Sequence, residues 1–263
     1  MARAKRHYIA GKVWHITHRC HKREFLLKFA KDRRRWLQWL FEAKKRYGLK
    51  ILNYAVTSNH IHLLVVDDSQ RETIPRSLQL VAGRTAQEYN DRKGRKGAFW
   101  EDRYHATAIE TGEHLLRCLV YIDLNMVRAG VLTHPSEWIF GGYREIQSPR
   151  RKCVLIDYEK LAALSGCHDY DSFRQSHRKW VEASLASGKN NYDNKWTRSI
   201  AVGGKKFVSL IKAGLGASAG GRRVRKVPDG YELRENQNSY IADSSLQKND
   251  IGLENTYLWE SFL

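Results

Sequence analysis

The architecture of this chain follows from the segment Thr57-Ser58-Asn59-His60-Ile61-His62-Leu63-Leu64-Val65-Val66. With the two-residue period of a β-strand, His60 and His62 point to one face, and the residues that alternate with them form an apolar opposite face. An apolar run at 50–56 precedes this strand, and the short Ser58-Asn59 connection makes the two runs an antiparallel hairpin. The segment therefore presents two imidazoles side by side, as a usable pair of metal ligands.

A second interpretation of this pair stays open. The chain has 11 histidines, so an H-x-H spacing arises readily by chance. Two polar residues also suit the solvent face of a half-buried strand. The choice between the two interpretations depends on other parts of the sequence.

The segments around the hairpin predict an α+β fold. Residues 12–20 are rich in β-branched and aromatic side chains and predict a strand, and residues 31–47 predict a helix that ends at Gly48. Helical spacing recurs over 70–90 and 113–128, with a predicted strand at 104–110 between them. The order β-α-β-β-α-β-α is typical of a ferredoxin-like antiparallel sheet with helices on one face, in which the first and third strands are central.

The composition changes after residue 150, and we divide the chain into residues 1–150 and an extension, 151–263. The extension is predicted to be mostly helical, with short helices at 158–164, 170–184 and 205–215. A linker rich in Gly, Ser and Arg is predicted at 214–225, and the polar tail at 235–249 is expected to be weakly ordered. The sequence assigns no role to this region.

Charge is the strongest feature of the composition. The formal net charge is +18, and residues 1–50 hold sixteen Lys or Arg against three acidic residues. Further basic clusters lie at 92–96 and 222–226. Concentrated positive charge favours a polyanionic partner, because neutralising phosphates releases counterions. A merely soluble basic surface is the alternative for any single cluster.

Several classes of protein are disfavoured. No run of eighteen apolar residues is present, and no apolar segment follows the basic residues 1–6, so we expect an intracellular protein without a membrane span. The four cysteines lack C-x-x-C spacing and predict neither a zinc knuckle nor a disulfide framework. An alternative zinc site is the group His15, His18, Cys20 and His21, although strand geometry turns His15 away from His18 and Cys20.

Two polar side chains, Tyr121 and Asn125, lie one turn apart on the flank of the helix predicted over 113–128. The buried stripe of that helix consists of Leu115, Leu119, Ile122 and Met126. A tyrosine is a weak nucleophile because its pKa is about 10, so its use requires an activated electrophile. A divalent cation held by His60, His62 and an oxygen of Asn125 would polarise a phosphodiester; this ligand set suits Mg²⁺ or Mn²⁺, and imidazole also tolerates zinc. The alternative is an ordinary buried tyrosine.

At these residues the chain resembles a known family. The segments Asn59-His60-Ile61-His62-Leu63-Leu64, Trp100-Glu101-Asp102-Arg103-Tyr104 and 121–130 are similar to the insertion-sequence 200-like, single-tyrosine transposases of the HUH superfamily, and most of all to the REP-associated tyrosine transposases of bacteria. The resemblance covers roughly residues 8–145. It implies the fold of an HUH endonuclease.

The resemblance also implies an activity. It implies metal-dependent cleavage and strand transfer of single-stranded DNA through a 5′-phosphotyrosine intermediate, with Tyr121 as nucleophile and His60 and His62 as metal ligands. Asn125 occupies the place of a third ligand that is often Gln in the family. Met126 follows it where proline is usual, a departure that leaves the nucleophile untouched.

The implied partner is a short palindromic DNA hairpin of the REP type with a single-stranded flank, bound by a cytoplasmic, nucleoid-associated bacterial protein that is a monomer or homodimer. The resemblance and the basic clusters together predict these DNA contacts: Arg3, Lys5, Arg6, Lys12, Arg19, Arg92, Lys93, Arg95 and Lys96. Two other functions are considered. One is a regulator that binds hairpins without cutting them. The other is a replication initiator or relaxase, which usually has a helicase domain or a second active tyrosine.

Overall fold

The four predicted strands are present and antiparallel, in the predicted order along the chain. A computed structural model describes residues 9–188 and 193–235. Its strands are β1 (Val13–Arg19), β2 (Lys50–Val56), β3 (His60–Val66), β4 (His105–Ile109), β5 (Ala201–Gly203), β6 (Arg222–Val227) and β7 (Gly230–Glu235). Its helices are α1 (Ala30–Tyr47), α2 (Thr73–Lys93), α3 (Glu113–Asp123), α4 (Asn125–Arg128), α5 (Tyr143–Gln147), α6 (Tyr158–Leu164), α7 (Tyr170–Ala186), α8 (Lys195–Arg198) and α9 (Lys205–Leu215).

The sheet confirms the predicted topology. Its strand order is β2-β3-β1-β4-β5-β7-β6, so β1 and β3 lie inside the first four strands. In the antiparallel register of β1 and β3, Thr17 is opposite His62 and Arg19 is opposite His60. The histidine pair therefore lies on a central strand, where pairing on both sides fixes the backbone.

Helices cover both faces of this sheet, so the prediction that they share one face is wrong. On one face, the ring of His18 stacks on Trp100 at 4.1 Å, and the Trp100 indole donates a hydrogen bond to the carbonyl of Ala82 in α2. On the other face, His15 contacts Tyr121 of α3. All residues of β3 after His60 are buried, on both faces. A strand buried on both faces requires a packed layer on each side.

The helix predicted over 113–128 is divided. Its stripe of Leu115, Leu119, Ile122 and Met126 is buried as predicted. However, α3 ends at Asp123, and Leu124 has φ −80° and ψ 7° before α4 begins. Leu124 is itself buried against Tyr143 and Val181. This local departure from helical geometry lies between Tyr121 and Asn125 and sets their relative positions.

The extension contributes to the same sheet. Helices α6, α7 and α9 confirm three predicted helical segments, whereas the linker predicted at 214–225 is wrong in its second half, because β6 begins at Arg222. Strand β5 is parallel to β4, and β7 pairs with β5 and β6 in antiparallel fashion. The turn Val227-Pro228-Asp229-Gly230 was the available signal, since Pro-Asp-Gly between two runs favours a hairpin turn.

The sheet thus runs without interruption across the proposed division at residue 150, which stays a prediction. The tail predicted to be weakly ordered lies, after Glu235, outside the described residues. Across residues 9–188 and 193–235, every helix is too short or too polar to cross a lipid bilayer.

Candidate active site

His60 and His62 form the centre of the site. Their ring centroids are 4.9 Å apart and their planes are nearly perpendicular, at 79°. Burial, followed by the nearby Arg19 guanidinium, lowers the pKa of His60 to about 4. Burial also lowers the pKa of His62 well below the usual value of a histidine. Both rings are therefore neutral at physiological pH, which is the form that binds metal ions.

The residues before β3 orient the ring of His60. Its Nδ1 atom lies 2.7 Å from Oδ1 of Asn59 and 3.0 Å from Oγ1 of Thr57. Because an amide oxygen only accepts hydrogen bonds, Nδ1 of His60 carries the proton. The Nε2 atom is then the unprotonated nitrogen, with a lone pair available to a cation.

A second histidine, which the sequence analysis did not connect with the site, contacts His62. Nε2 of His15 lies 2.9 Å from Nδ1 of His62, and the two rings are stacked with centroids 5.1 Å apart. Nδ1 of His15 donates in turn to the backbone carbonyl of Trp196, at 2.8 Å. Burial lowers the pKa of His15 to about 3, so this ring is also neutral.

Tyr121 lies beside these rings in the same chain. Its ring centroid is 5.9 Å from that of His62 and 6.1 Å from that of His15, edge-on to both. Trp196 packs on another side at 6.0 Å. The predicted nucleophile and one predicted metal ligand are therefore brought together by α3 and β3 without a second subunit.

Arg128 is a further residue of the site whose role the sequence analysis did not assign. Its guanidinium lies over the Tyr121 ring, 4.1 Å from the centroid, and it donates to the Tyr121 carbonyl oxygen. Burial lowers the pKa of Arg128, but an arginine starts so far above neutrality that it stays charged. A positive charge beside a phenol favours the phenolate.

Asn125 reaches the site from α4. Its Nδ2 atom lies 2.9 Å from Nε2 of His62. The amide therefore occupies the position expected for a third ligand, although here its nitrogen faces His62. A half-turn of the amide exchanges its nitrogen and oxygen, and the oxygen is the atom that a hard cation binds.

The donor set fits a divalent cation. Two neutral imidazoles lie on one face of β3, and each has a hydrogen-bond partner on Nδ1, as metal-binding histidines usually do. Within residues 9–188 and 193–235, no group of three His, Cys, Asp or Glu side chains converges to hold a metal. The alternative zinc site is not assembled, because His15 and His18 lie on opposite faces of β1.

The ring of Tyr121 borders a cavity of about 500 Å³ between α3, α7 and α8. Apolar walls come from Leu116, Trp180 and Trp196, and charged groups come from Arg117 and Lys195. A cavity of this volume has room for a small organic ligand or a nucleotide. It gives a route from solvent to a tyrosine that is only 6% exposed.

The predicted DNA contacts lie in several environments and stay predictions. Arg92 is bonded to the buried carboxylate of Asp32, and Arg95 donates to the carbonyl of Ala98 at 2.8 Å. Arg19 lies opposite His60 and pairs with Glu101 at 3.9 Å. Lys96 is exposed, and Lys12 and Lys93 lie over aromatic rings. Arg3, Lys5 and Arg6 lie outside the described residues.

Because the pKa values of the histidines at this site are lowered in the folded protein, we expect the free energy of unfolding to fall in acid. Unfolded histidines titrate at about 6.5, whereas His60 titrates at about 4 and His15 at about 3 in the folded protein. Between these values the unfolded chain binds more protons, so the free energy of unfolding falls by about 1.4 kcal/mol per pH unit for each histidine below about pH 6.5. This stabilisation is fully present above that pH. Urea denaturation between about pH 7 and 5 measures it.

The comparison for this measurement is His168→Ala, which removes an exposed imidazole on the surface of the protein. A free energy of unfolding that stays constant between these pH values would contradict the predicted burial of neutral histidines.

The chain is similar to known proteins. Residues 10–125 match the family model described as IS200-like transposases. Among solved structures, a REP-associated tyrosine transposase bound to a REP hairpin is 19% identical, over 60% of this chain and 95% of its own, with a TM-score of 0.47. A candidate transposase from Deinococcus radiodurans R1 is 17% identical, over 49% of this chain and 98% of its own, with a TM-score of 0.33. No curated protein matches the chain.

Proposed function

We propose that this chain, whose residues 10–125 match the family model described as IS200-like transposases, is a metal-dependent endonuclease and strand transferase of single-stranded DNA. The observation that carries the proposal is the convergence of Tyr121, His62 and Asn125 around one side of β3. The cluster contains neutral histidines, a buried phenol and a half-buried arginine. Apolar residues would pack there better, so packing alone does not account for these side chains. Such a cluster is typical of a catalytic site.

In the proposed reaction, the phenolic oxygen of Tyr121 attacks the phosphorus of one phosphodiester. A bond forms between phosphorus and the tyrosine oxygen, and the bond from phosphorus to the 3′ oxygen breaks. The phenolic proton passes to water, and the departing 3′ oxygen takes a proton to become a hydroxyl. The products are a 5′-phosphotyrosine and a free 3′-hydroxyl, and attack by a 3′-hydroxyl on the phosphotyrosine rejoins DNA without ATP.

The residues of the site have separate tasks in this proposal. Arg128 favours the phenolate of Tyr121 through its charge 4.1 Å above the ring. His60, His62 and the Asn125 amide would hold Mg²⁺ or Mn²⁺, which when bound supplies a positive charge that polarises the phosphodiester. The buried surroundings strengthen both electrostatic effects because water is excluded.

The partner proposed for this site is a DNA hairpin with an unpaired flank. The net charge of +18 supports a polyanion, and the cavity beside Tyr121 has room for unpaired nucleotides and not for a duplex. The half-buried Trp180 lines that cavity and offers an aromatic surface of the kind on which unpaired bases stack. The alternative is a regulator that binds hairpins without cutting them. It is favoured less, because His60, His62 and Tyr121, the residues to which this proposal assigns cleavage, are all present.

The test uses DNA hairpins with randomised single-stranded flanks and a fluorophore on the 3′ end. The 3′ fragment retains the 5′-phosphate, so a covalent product carries the label on the protein through denaturing electrophoresis. We expect this product with Mn²⁺ and not with EDTA, and we expect none from His60→Ala. Retention of hairpins in a binding assay, without any covalent product in Mg²⁺ or Mn²⁺, would establish the regulator instead.

A further inference from the structure

We propose that His15, backed by the Trp196 carbonyl of the C-terminal extension, is a positioning residue that holds His62 in the tautomer able to bind the metal. The inference rests on the proposed function and deepens it, since it assigns a task to a second histidine and to residues beyond the matched family region. The juxtaposition that carries it is a continuous chain of hydrogen bonds from Trp196 through His15 and His62 to Asn125.

The direction of each hydrogen bond follows from the Trp196 end of this chain. At one end, the Trp196 carbonyl only accepts, so Nδ1 of His15 carries a proton. A neutral His15 then has a bare Nε2, which accepts from Nδ1 of His62. At the other end, the Asn125 amide presents its nitrogen, 2.9 Å away, to Nε2 of His62 and donates to it, but this amide can turn by half a turn. The fixed carbonyl at the His15 end therefore sets the tautomer of His62, with the proton on Nδ1 and a lone pair on Nε2, and the Asn125 amide adjusts to it.

This arrangement matches the orientation of metal-binding histidines in general. Such histidines usually donate the other ring N–H to an acceptor, which fixes both the tautomer and the direction of the ring. For His62 the acceptor is the imidazole of His15, and the acceptor for His15 is a backbone carbonyl. His15 is fully buried, so water is not available to replace it.

The extension holds the Trp196 carbonyl in place. Oγ1 of Thr107 on β4 lies 3.2 Å from this carbonyl and 2.6 Å from the Ser199 carbonyl, and its one hydroxyl proton is shared between the two. Nζ of Lys195 pairs with Asp229, in the turn between β6 and β7, at 3.2 Å. The three added strands and α8 therefore fix the acceptor at the start of the hydrogen-bond chain.

The structure offers a matched control on the neighbouring strand. His105 on β4 is half-buried and makes the same kind of contact, because its Nε2 atom donates to the carbonyl of Ser199 at 3.0 Å. It thus joins a sheet strand to the same segment of the extension, but it has no hydrogen bond with His62. If the role of His15 were purely structural, substituting His15 or His105 would change metal binding to the same extent.

The experiment compares His15→Phe, His15→Gln and His105→Gln with the wild-type chain. Mn²⁺ binding is measured by calorimetry, and the tautomer of His62 is measured in the metal-free protein from the ¹⁵N shifts of its ring. We expect His15→Phe to weaken Mn²⁺ binding by about 10- to 100-fold and to give a mixture of tautomers. His15→Gln retains a donor and an acceptor and should recover much of the affinity. His105→Gln should change neither measurement.

The outcomes separate this inference from the proposed function. If the wild-type chain binds neither Mn²⁺ nor Mg²⁺, the proposed metal-dependent function is wrong. The ¹⁵N shifts still test the hydrogen-bond chain in that case, because they report the tautomer of His62 without metal. If wild type binds Mn²⁺ and His15→Phe binds it equally with an unchanged His62 tautomer, the inference is overturned. If His15→Phe does not fold, the His62 tautomer is measured in His15→Gln instead. A proton on Nε2 of His62, either in that folded variant or in wild type, also overturns the inference.

Discussion

The Tyr121→Phe variant is expected to bind hairpin DNA like the wild-type chain and to form no covalent DNA product. The substitution removes only the phenolic oxygen that would attack phosphorus, so the rate should fall by about 10³-fold or more. The phenylalanine ring retains the packing against Trp196 and the position beneath Arg128, which should preserve the fold. Denaturing electrophoresis of a 3′-labelled hairpin measures the product, and a native gel measures binding.

The control for this variant is Tyr104→Phe. Tyr104 packs near His18, on the face of the sheet opposite Tyr121, with ring centroids 6.5 Å apart. Its substitution should leave the covalent product unchanged. If the covalent product persisted in Tyr121→Phe and disappeared in Tyr104→Phe, the nucleophile would be Tyr104, on the other face of the sheet.

The same variant tests whether one chain contains a whole site. Because Tyr121 lies beside His62 of its own chain, a mixture of Tyr121→Phe with His62→Ala should remain inactive. Recovered cleavage in the mixture would mean that two chains exchange the helix that carries the tyrosine, and that the arrangement described above is not the active one.

The sequence predicts those parts of this site that depend on local periodicity. The two-residue period over 60–66 and the two-residue connection before it determine the hairpin, and β2 and β3 have the predicted bounds. The apolar stripe from Leu115 to Met126 determines which side of α3 is buried, and hence that Tyr121 lies on its flank. In each case the structure is determined by residues that are close in sequence or that recur with a fixed spacing.

The missing parts depend on contacts between distant segments. His15 joins His62 across 47 residues and Trp196 across 181 residues, and periodicity does not report what lies opposite a given face. The stripe of α3 likewise does not reveal that this helix covers the other face of the sheet. Strand β6 was missed because a basic edge strand lacks the apolar alternation of an inner strand.

One buried carboxylate links the tyrosine helix to the extension. Asp123 follows Tyr121 by two residues and is only 8% exposed. Its Oδ1 accepts from Nδ2 of Asn53 on β2 at 2.9 Å, and its Oδ2 accepts from Nε2 of His177 on α7 at 2.8 Å. Nδ1 of His177 accepts in turn from Nε2 of Gln147 at 3.0 Å. The end of α3 is thereby fixed to the sheet and to the extension at once.

Asp123→Ala is therefore expected to lower the free energy of unfolding by about 3–5 kcal/mol, because it leaves the donors of Asn53 and His177 buried without an acceptor. Urea denaturation measures the loss. The matched control is Asp171→Ala, which removes an exposed carboxylate paired with Arg174 at 3.0 Å and should cost less than about 1 kcal/mol. Equal losses in the two variants would show that Asp123 is hydrated and does not fix α3. A large loss confined to Asp123→Ala would mean that this carboxylate, which joins α3 to the sheet and to the extension, stabilises the helix that carries the proposed nucleophile.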